Sequence, residues 1–332
     1  MLKVLFIGGT GIISSACSRL AIEKGMQLYH LNRGQTSRPI PESVIQLKGD
    51  ARDRASYKAA LGDHSFDVVV QWIGFTPEHI EQDLEVLRGR VGQYIFISSA
   101  SAYQTPPANL PVTESTVLDN SVWEYSRNKI ACEERLMRAY RDEKFPVTIV
   151  RPSHTYDATL FPTHGGYTVL RRMRHGKPVV VHGDGTSLWT LTHNQDFAVG
   201  MVGLFGNPRA IGDSFHITSD EWLSWNQIYQ FIAKAAGVDA ILVHVPSELI
   251  AAYDPGWGDS LLGDKAHSMI FDNTKIKRLV PEFKPTISFA EGARQIVAWY
   301  DADPARQVVD EAFDALNDRI IAAFTKAWPE PL

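Results

Sequence analysis

Short apolar runs alternate with amphipathic stretches through the first half of the chain. The runs contain few polar positions, which is typical of parallel strands buried on both faces, and the stretches between them have the spacing of helices. The predicted strands are Val4 to Ile7, Met26 to Leu31, Val44 to Leu47, Phe66 to Gln71, Tyr94 to Ile97 and Val147 to Val150. The predicted helices lie near residues 12–24, 53–61, 77–88 and 121–143. This alternation predicts an α/β fold with a doubly wound parallel sheet.

The pattern changes after Arg151, where glycine, proline, histidine and tryptophan become frequent and the strand signals become short. We expect residues 153–332 to form mainly a smaller lobe, with terminal helices, that closes over the carboxyl edge of the sheet, where open α/β folds bind ligands. Residues 1–152 would form the sheet domain, and a segment near 190–218 would return to it. Apolar residues recur at helical spacing near the C-terminus and predict a docked amphipathic helix: Val309, Phe313, Leu316, Ile320 and Phe324.

The composition indicates a globular enzyme: 44% of the 332 residues are hydrophobic and the net charge is −5. No segment approaches the roughly 18 apolar residues of a membrane span, and no secretion signal is apparent, so we expect a cytoplasmic protein without membrane contact. Cys17, Cys132 and the histidines between 154 and 193 match no metal spacing, so no metal site is expected. The one basic run, Arg171 to Lys177, is expected to be a solvated helix end, with capture of an anion as the alternative.

The first predicted strand leads directly into a glycine turn, Gly8-Gly9-Thr10-Gly11, and then into a helical pattern. Such glycines let the backbone turn tightly and approach a pyrophosphate, whose charge then rests on the free N–H groups at the helix N-terminus. A Rossmann-type nucleotide site begins in this way. An ordinary strand-to-helix turn that binds nothing is the alternative.

The candidate catalytic residues are Tyr125 and Lys129, which share a face of a predicted helix because they are four positions apart. A tyrosine is a weak base at its free pKa near 10, and a neighbouring cation favours the phenolate. The strand before this helix runs into Ser98-Ser99-Ala100-Ser101, which places hydroxyl groups at its carboxyl end. Simple loop chemistry is the alternative for the serines taken alone.

With these motifs in this order, the chain resembles the extended short-chain dehydrogenase/reductase superfamily, and within it the NAD(P)-dependent sugar epimerases, dehydratases and reductases. The resemblance covers nearly the whole chain. It depends on GGTGIIS at the first turn, Gly49-Asp50, the SSASAY stretch at 98–103, YSRNK at 125–129, Arg151-Pro152 and GDGTSLWTLTHNQDFA at 183–198.

The resemblance implies a role for each matching residue. Tyr125 would be the general acid/base, Lys129 would hold the ribose hydroxyls and lower the pKa of Tyr125, and Ser99 would hydrogen-bond the reacting oxygen. The residues implied to contact the cofactor, together with Tyr125 and Lys129, are Gly8, Thr10, Gly11, Ile12, Ile13, Asn32, Arg33, Asp50, Ala51, Trp72, Ile73, Gly74, Ser98, Pro152 and Ser153.

Two departures from the family pattern concern the cofactor. Ser14 replaces the third glycine of the turn, and its small side chain should still allow close packing of the helix. The second strand ends in Asn32-Arg33-Gly34 rather than in a carboxylate. Arg33 can pair with a 2′-phosphate that an acid would repel, so NADP is favoured over NAD. If Arg33 instead faces solvent or stacks on adenine, NAD remains the alternative.

Two further departures concern the substrate. Ala100 and Ser101 stand where dehydratases carry an Asp-Glu pair, so dehydration is disfavoured. His154 and Trp189 stand where nucleotide-sugar enzymes have an Asn and an Arg, which weakens the case for a nucleotide sugar. We expect a sugar-like small molecule in contact with Ser101, His154 and Trp189.

The sequence therefore predicts an NAD(P)-dependent oxidoreductase or epimerase that acts on a hydroxyl or carbonyl group. A nucleotide-sugar dehydratase is one alternative. A redox-inactive relative that binds RNA or regulates is the other, since plastid stem-loop RNA-binding proteins share a similar NRG segment. The negative charge and the retained Tyr125 and Lys129 argue against nucleic acid as a partner. A homodimer through residues 77–88 and the helix of Tyr125 is also considered, because it is common in this branch.

Overall fold

The computed structural model describes residues 1–36 and 38–327 of the chain. The strands are β1 (Lys3–Ile7), β2 (Gln27–Asn32), β3 (Ile45–Lys48), β4 (Phe66–Gln71), β5 (Val91–Ile97), β6 (Val147–Pro152), β7 (His154–Tyr156), β8 (Val179–His182), β9 (Leu188–Trp189), β10 (Leu191–His193), β11 (Ser214–Ile217), β12 (Leu223–Ser224) and β13 (Leu242–Val245). The α-helices are α1 (Ile12–Glu23), α2 (Arg54–Leu61), α3 (Pro77–Leu87), α4 (Glu124–Glu143), α5 (Tyr167–Arg174), α6 (Asn194–Gly203), α7 (Trp225–Ala235), α8 (Ser247–Tyr253), α9 (Pro255–Ser260), α10 (Thr274–Leu279), α11 (Phe289–Asp301) and α12 (Glu311–Lys326).

A seven-stranded parallel sheet forms the centre of the molecule, in the order β11-β6-β5-β4-β1-β2-β3. From β1 the strand order runs to β2 and β3 on one side and to β4, β5, β6 and β11 on the other. The point where the order changes side, between β1 and β4, is where a doubly wound sheet forms a crevice at its carboxyl edge. The predicted Rossmann-type fold is confirmed, and so are the six predicted strands and four predicted helices of the first half of the chain.

Successive side chains of each strand point to opposite faces of the sheet, and an apolar core lies on each face. Val4 and Phe6 pack with α1 and α6 on one face, and Leu5 and Ile7 pack with α2, α3 and α4 on the other. Phe215 of the late strand β11 belongs to the first core, as does Ile276 of α10. The segment that rejoins the sheet domain in space therefore extends past the predicted residues 190–218.

The prediction that every strand is buried on both faces is wrong for β3. Ile45 is 40% exposed, and of the β3 residues only Leu47 packs on the core. The reason is position, because β3 is the last strand in the sheet and pairs with β2 alone.

The remaining strands form three two-stranded pairs, β10 with β7, β12 with β9 and β13 with β8. A third apolar core lies among these pairs and the helices α5, α7, α11 and α12. In the predicted C-terminal helix, Phe313 and Ile320 are buried and Leu316 and Phe324 are partly buried, while Val309 lies just before its first turn. Within the described ranges, no helix is both long enough and apolar enough to cross a membrane.

The basic run at 171–177 is a solvated helix end only at residues 175–177, and Arg172 is buried in ion pairs. Arg172 is 1% exposed and donates to Asp314 and Asp318 of α12, at 2.6 Å in each case. Lys177 also reaches Asp314, at 3.0 Å. Arg171, Arg172 and Arg174 form ion pairs with acidic side chains of α11 and α12. The pairs with α12 form because α12 packs against α5. The cluster therefore fixes the C-terminal helix to the body.

Replacing Arg172 should loosen this attachment. The change Arg172→Ala leaves the partly buried Asp314 with only the exposed Lys177 as an ion-pair partner, and should lower the free energy of unfolding by about 3 kcal/mol. Arg171→Ala is the matched control, since Arg171 is 38% exposed and meets Glu311 at 3.5 Å. That exposed pair should contribute less than about 1 kcal/mol. Urea unfolding of both variants measures the difference, and equal losses would contradict the role given to Arg172.

Candidate active site

A cavity of about 460 Å³ opens at the carboxyl edge of the sheet, between the sheet and the lobe. Many of the predicted site residues line it, from elements far apart in sequence. They are Ile13, Trp72, Ser98, Ser99, Ser101, Tyr125, Lys129, Pro152, Ser153, His154 and Trp189. The other predicted cofactor residues lie on the turns that follow β1, β2, β3 and β4, except Asn32, which ends β2, and Ile12, which begins α1.

Lys129 lies at the floor of the cavity and is 1% exposed. Its Nζ donates to the carbonyl oxygens of Gly74 and Ile97, both at 2.7 Å, and lies 5.7 Å from the centre of the Tyr125 ring. An ammonium group has three donors, so one remains for a further partner. Burial lowers the pKa of Lys129 to about 8. The lysine therefore stays largely cationic at neutral pH.

Tyr125 departs from the prediction that Lys129 lowers its pKa. Burial raises the pKa of Tyr125 to about 12, and the carboxylate of Asp264 acts in the same direction. A hydrogen bond from Ser99 opposes them. The phenol departs from the prediction because burial dominates its pKa in the folded chain, while an effect of Lys129 stays a prediction. At neutral pH Tyr125 carries its proton.

The glycine turn is shaped for close approach of a ligand. Gly8 and Gly9 have φ angles of 103° and 90°, which side chains rarely allow. A Cβ on Gly9 would lie 2.8 Å from Nδ1 of His30, which forms the wall behind the turn. Ser14 fills the place of the third glycine and accepts the N–H of Gly11 at 2.8 Å. The serine thus stabilises the first turn of α1.

Three polar atoms around the cavity and its cofactor end are buried without a hydrogen-bond partner among the described residues. They are Nδ2 of Asn32, Nε1 of Trp72 and Oγ of Ser98. Each belongs to a predicted cofactor residue at the end of a strand, and buried polar groups normally have partners. A dinucleotide carries phosphates, ribose hydroxyls and an amide that could supply them. Together with the glycine turn, these residues fit NAD(P).

The remaining predicted cofactor residues take local structural roles as well. Oδ1 of Asp50 accepts the N–H of Arg52 at 2.9 Å, and Gln82 donates to the carbonyl oxygen of Ala51 at 2.8 Å. The N–H of Ile73 donates to the side chain of Gln71 at 2.8 Å. These bonds hold the turns after β3 and β4 in fixed positions. Their cofactor contacts stay predictions.

His154 and Trp189 meet at the substrate end of the cavity. Nε1–H of Trp189 donates to Nδ1 of His154 at 3.2 Å, so a neutral His154 carries its hydrogen on Nε2. Burial lowers the pKa of His154 to about 3, which keeps the ring uncharged. The pair offers a neutral, largely aromatic wall.

The sequence analysis missed two charged residues of the cavity, Asp264 and Lys265. They come from a π-helical turn, Leu261–Lys265, and their side chains approach to 3.4 Å. The carbonyl oxygen of Lys265 accepts bonds from His182, Trp225 and Ser187, which anchor the turn. No local motif marks this turn, and only the folded lobe brings it to the cavity.

Asn120 was also missed, although it joins three parts of the site. Its Nδ2 donates to the carbonyl oxygens of Ser101 and Gly263, at 3.0 and 2.6 Å. Its Oδ1 accepts the N–H of Trp123 at 3.0 Å, just before α4. Asn120 is 2% exposed, so these bonds are shielded from water. It connects the serine loop, the start of α4 and the turn that carries Asp264.

Comparisons with known proteins agree with this geometry. The profile of the NAD dependent epimerase/dehydratase family matches residues 4–218. The chain is 25% identical to the chloroplast stem-loop binding protein of 41 kDa b of Arabidopsis thaliana, over 96% of this chain and 84% of the relative. It is 26% identical to the 2'-dehydrokanamycin reductase of Streptomyces kanamyceticus, over 85% and 80%.

Solved structures show the same fold. The epimerase Mth375 of Methanothermobacter thermautotrophicus superimposes with a TM-score of 0.75 at 18% identity, over 92% of this chain and 94% of that chain. The UDP-glucose 4-epimerase of Bifidobacterium longum, solved with NAD+ and UDP, gives a TM-score of 0.73 at 20% identity, over 91% and 99%.

The glycine turn provides a test of the cofactor site. Gly9→Ala should raise the dissociation constant of NADH and of NADPH at least about tenfold, because the new Cβ displaces His30 and strains the turn. Gly25→Ala is the control, since Gly25 also has a positive φ, of 74°, and a Cβ there meets nothing within 4 Å. Quenching of tryptophan fluorescence measures both affinities. Unchanged binding by Gly9→Ala would place the cofactor elsewhere.

Proposed function

The chain belongs to the NAD dependent epimerase/dehydratase family, and we propose that it is an NAD(P)-dependent oxidoreductase or epimerase of a sugar-like small molecule. It would act on a hydroxyl or carbonyl group. The observation that carries the proposal is the convergence of Tyr125, Lys129 and Ser99 in one cavity with the glycine turn at its edge. A bound nicotinamide would supply the carbon that accepts or returns hydride.

Tyr125 would move the proton. Its phenol is protonated at neutral pH, so it can donate to a substrate carbonyl oxygen as that oxygen becomes a hydroxyl. In the reverse direction Tyr125 would take the hydroxyl proton. The buried charge of Lys129, 5.7 Å from the ring centre, would favour the phenolate that donation leaves, and Ser99 would hydrogen-bond the reacting oxygen.

The lining of the cavity supports a substrate without a nucleotide diphosphate. Lys129 and Lys265 are the cations among the described lining residues, and no arginine is present there for a bidentate grip on phosphate. Lys265 is already close to Asp264, and Lys129 is bound to backbone carbonyls. Ala100 and Ser101, next to Ser99, carry no carboxyl group for expelling water. A free sugar or a related ketone suits this site better than a nucleotide sugar. The relative named as a reductase is consistent with this choice.

Two cations support the choice of NADP. Arg33 is exposed just after β2, and Lys48 ends β3 opposite Asn32 in the strand register. Neither makes an ion pair with a described residue, and a Cβ on Gly34 would lie 3.9 Å from Cε of Lys48. Together with the unpartnered Nδ2 of Asn32, they form a donor-rich corner suited to a 2′-phosphate. Lys48 was missed by the sequence analysis.

RNA binding is the second candidate, and the observation that favours it is the similarity to a stem-loop binding protein over 96% of this chain. The charge distribution opposes it. The net charge is −5, and the basic run at 171–177 is largely taken up by ion pairs with acids of α11 and α12. Phosphate backbones need free cations on a surface. The enzyme is therefore the stronger proposal.

A homodimer through α3 and α4 stays a proposal of the sequence analysis. The groove between these helices is lined largely by charged side chains. Arg135 pairs there with Glu81 and with Glu143, within the same chain. Such a face offers little apolar area for a stable interface.

Removing the phenol oxygen tests the enzyme proposal. Tyr125→Phe should lower turnover of sugar ketones by about 100-fold to 10,000-fold, because the proton donor is lost, while cofactor affinity changes little. Stopped-flow oxidation of NADPH and fluorescence titration measure the two quantities. Undiminished turnover would contradict the role of Tyr125. Retention of a stem-loop RNA on filters, with no turnover by the parent protein, would favour the second candidate.

Replacing Arg33 or Lys48 tests the preference for NADP over NAD. Arg33→Ala should reduce the preference for NADPH over NADH about tenfold, the loss expected for a hydrogen bond to a charged group, and Lys48→Ala should reduce it less. Lys24→Ala is the control, because Lys24 is an exposed cation at the far end of α1. Thermal shifts with each cofactor provide the comparison. If NADH and NADPH shift the parent protein equally, the NADP proposal fails.

A further inference from the structure

Three serine hydroxyls form a chain beside the Tyr125 phenol. Ser126 donates to Oγ of Ser101 at 2.8 Å, and Oγ of Ser101 lies 2.8 Å from Oγ of Ser99. Ser99 and Tyr125 line the same cavity, and Ser99 acts to lower the pKa of the phenol. The first two hydroxyls come from different elements, since Ser126 lies on α4 and Ser101 lies on the loop after β5. The chain thus connects the helix of the acid/base residue to the loop of the catalytic serine.

One arrangement of hydrogens lets each serine use its hydrogen on the next member of the chain. A hydroxyl has one hydrogen and two lone pairs. In that arrangement Ser126 donates to Ser101, and Ser101 donates to Ser99, its other hydroxyl neighbour. Ser99 also accepts the backbone N–H of Ser101 at 3.1 Å. Both lone pairs of Ser99 are then occupied, and its hydrogen is free to point into the cavity that Tyr125 also lines.

We propose that Ser126 and Ser101 are positioning residues that make Ser99 a permanent hydrogen-bond donor toward Oη of Tyr125 and the reacting oxygen. The inference depends on the proposed function for its catalytic meaning. It also revises the expectation for Ser101, whose hydroxyl is bound by two serines and is not free for the substrate.

Burial explains why protein hydroxyls are needed here. Ser126 is 0% exposed and Ser101 is 3% exposed, so bulk water does not reach this side of Ser99. Asn120 holds the carbonyl oxygen of Ser101 at 3.0 Å, which fixes the middle of the chain. A donor that cannot rotate away stabilises an oxyanion more than a freely turning hydroxyl does, since it needs no reorganisation.

The charged groups around the phenol act on it separately from this chain. Lys129 lies one turn below on α4, and Asp264 and Lys265 come from the π-helical turn of the lobe. None of these three makes a hydrogen bond to Ser99, Ser101 or Ser126. Removing the Ser126 hydroxyl therefore changes the donor chain without removing a charge.

The test measures the acidity constant of the phenol at position 125 directly. Tyr125 is replaced by 3,5-difluorotyrosine in the full chain, and its ¹⁹F resonance is followed against pH. Ser101→Ala and Ser126→Ala should each lower the acidity constant of this phenol, by up to about tenfold, since a hydrogen bond to a charged group is weakened. Ser126→Thr, which keeps the hydroxyl, should retain the parent value.

Ser121→Ala is the matched control, because Ser121 is an exposed serine just before α4. It should titrate like the parent. If Ser126→Ala does not fold, Ser126→Cys keeps the size with a weaker donor and should also lower the acidity constant. Identical titration of the parent and the Ser126 variants overturns the proposal. The titration needs no turnover, so a protein without activity would refute the enzyme proposal and still report on the serine chain.

Discussion

The buried ammonium of Lys129 is the interaction on which the site depends. It binds the carbonyl oxygens that follow β4 and end β5, and it is carried by α4, so one cation fixes two strand ends and α4 together. Removing an ammonium from water is costly, and only good geometry offsets that cost. The two hydrogen bonds to backbone carbonyl oxygens and the nearby rings of Phe75 and Phe96 provide that geometry. The position of Tyr125, one helical turn away, follows from this anchor.

Burial also makes the phenol of Tyr125 a weaker acid than a free tyrosine. A rise of the Tyr125 pKa from 10.0 to about 12 corresponds to about 3 kcal/mol against the phenolate. The prediction from the sequence considered Tyr125 and Lys129 as an isolated pair. In an isolated pair the cation would lower the pKa of the phenol. In the folded protein, removal from water and the carboxylate of Asp264 outweigh it. The site therefore holds a proton to give, and any positive charge brought close to the phenol would ease its release.

What could be predicted from the sequence was local. The strand-to-glycine-to-helix order at Gly8 and the four-residue spacing of Tyr125 and Lys129 each lie within one element or one turn, where periodicity is informative. Asp264 and Asn120 could not be found in this way. Asp264 reaches the cavity because the carbonyl of Lys265 is held by His182 and Trp225, contacts that span 83 and 40 residues. The burial of Arg172 depends likewise on α12, more than 130 residues away. Such pairings follow from the completed fold.

Overall similarity does not decide between an enzyme and an RNA-binding protein, because the chain is about equally similar to a reductase and to a stem-loop binding protein. Function has to be argued from the site. A surface that binds phosphate backbones gains from free cations and gains nothing from a buried ammonium, a buried phenol or serines arranged away from water. Lys129, Ser99 and Ser101 remove polar groups from water around the cavity that the oxygen of Tyr125 also lines, and such burial costs stability. Chemistry at that oxygen gives a reason for their arrangement, and the binding of RNA does not.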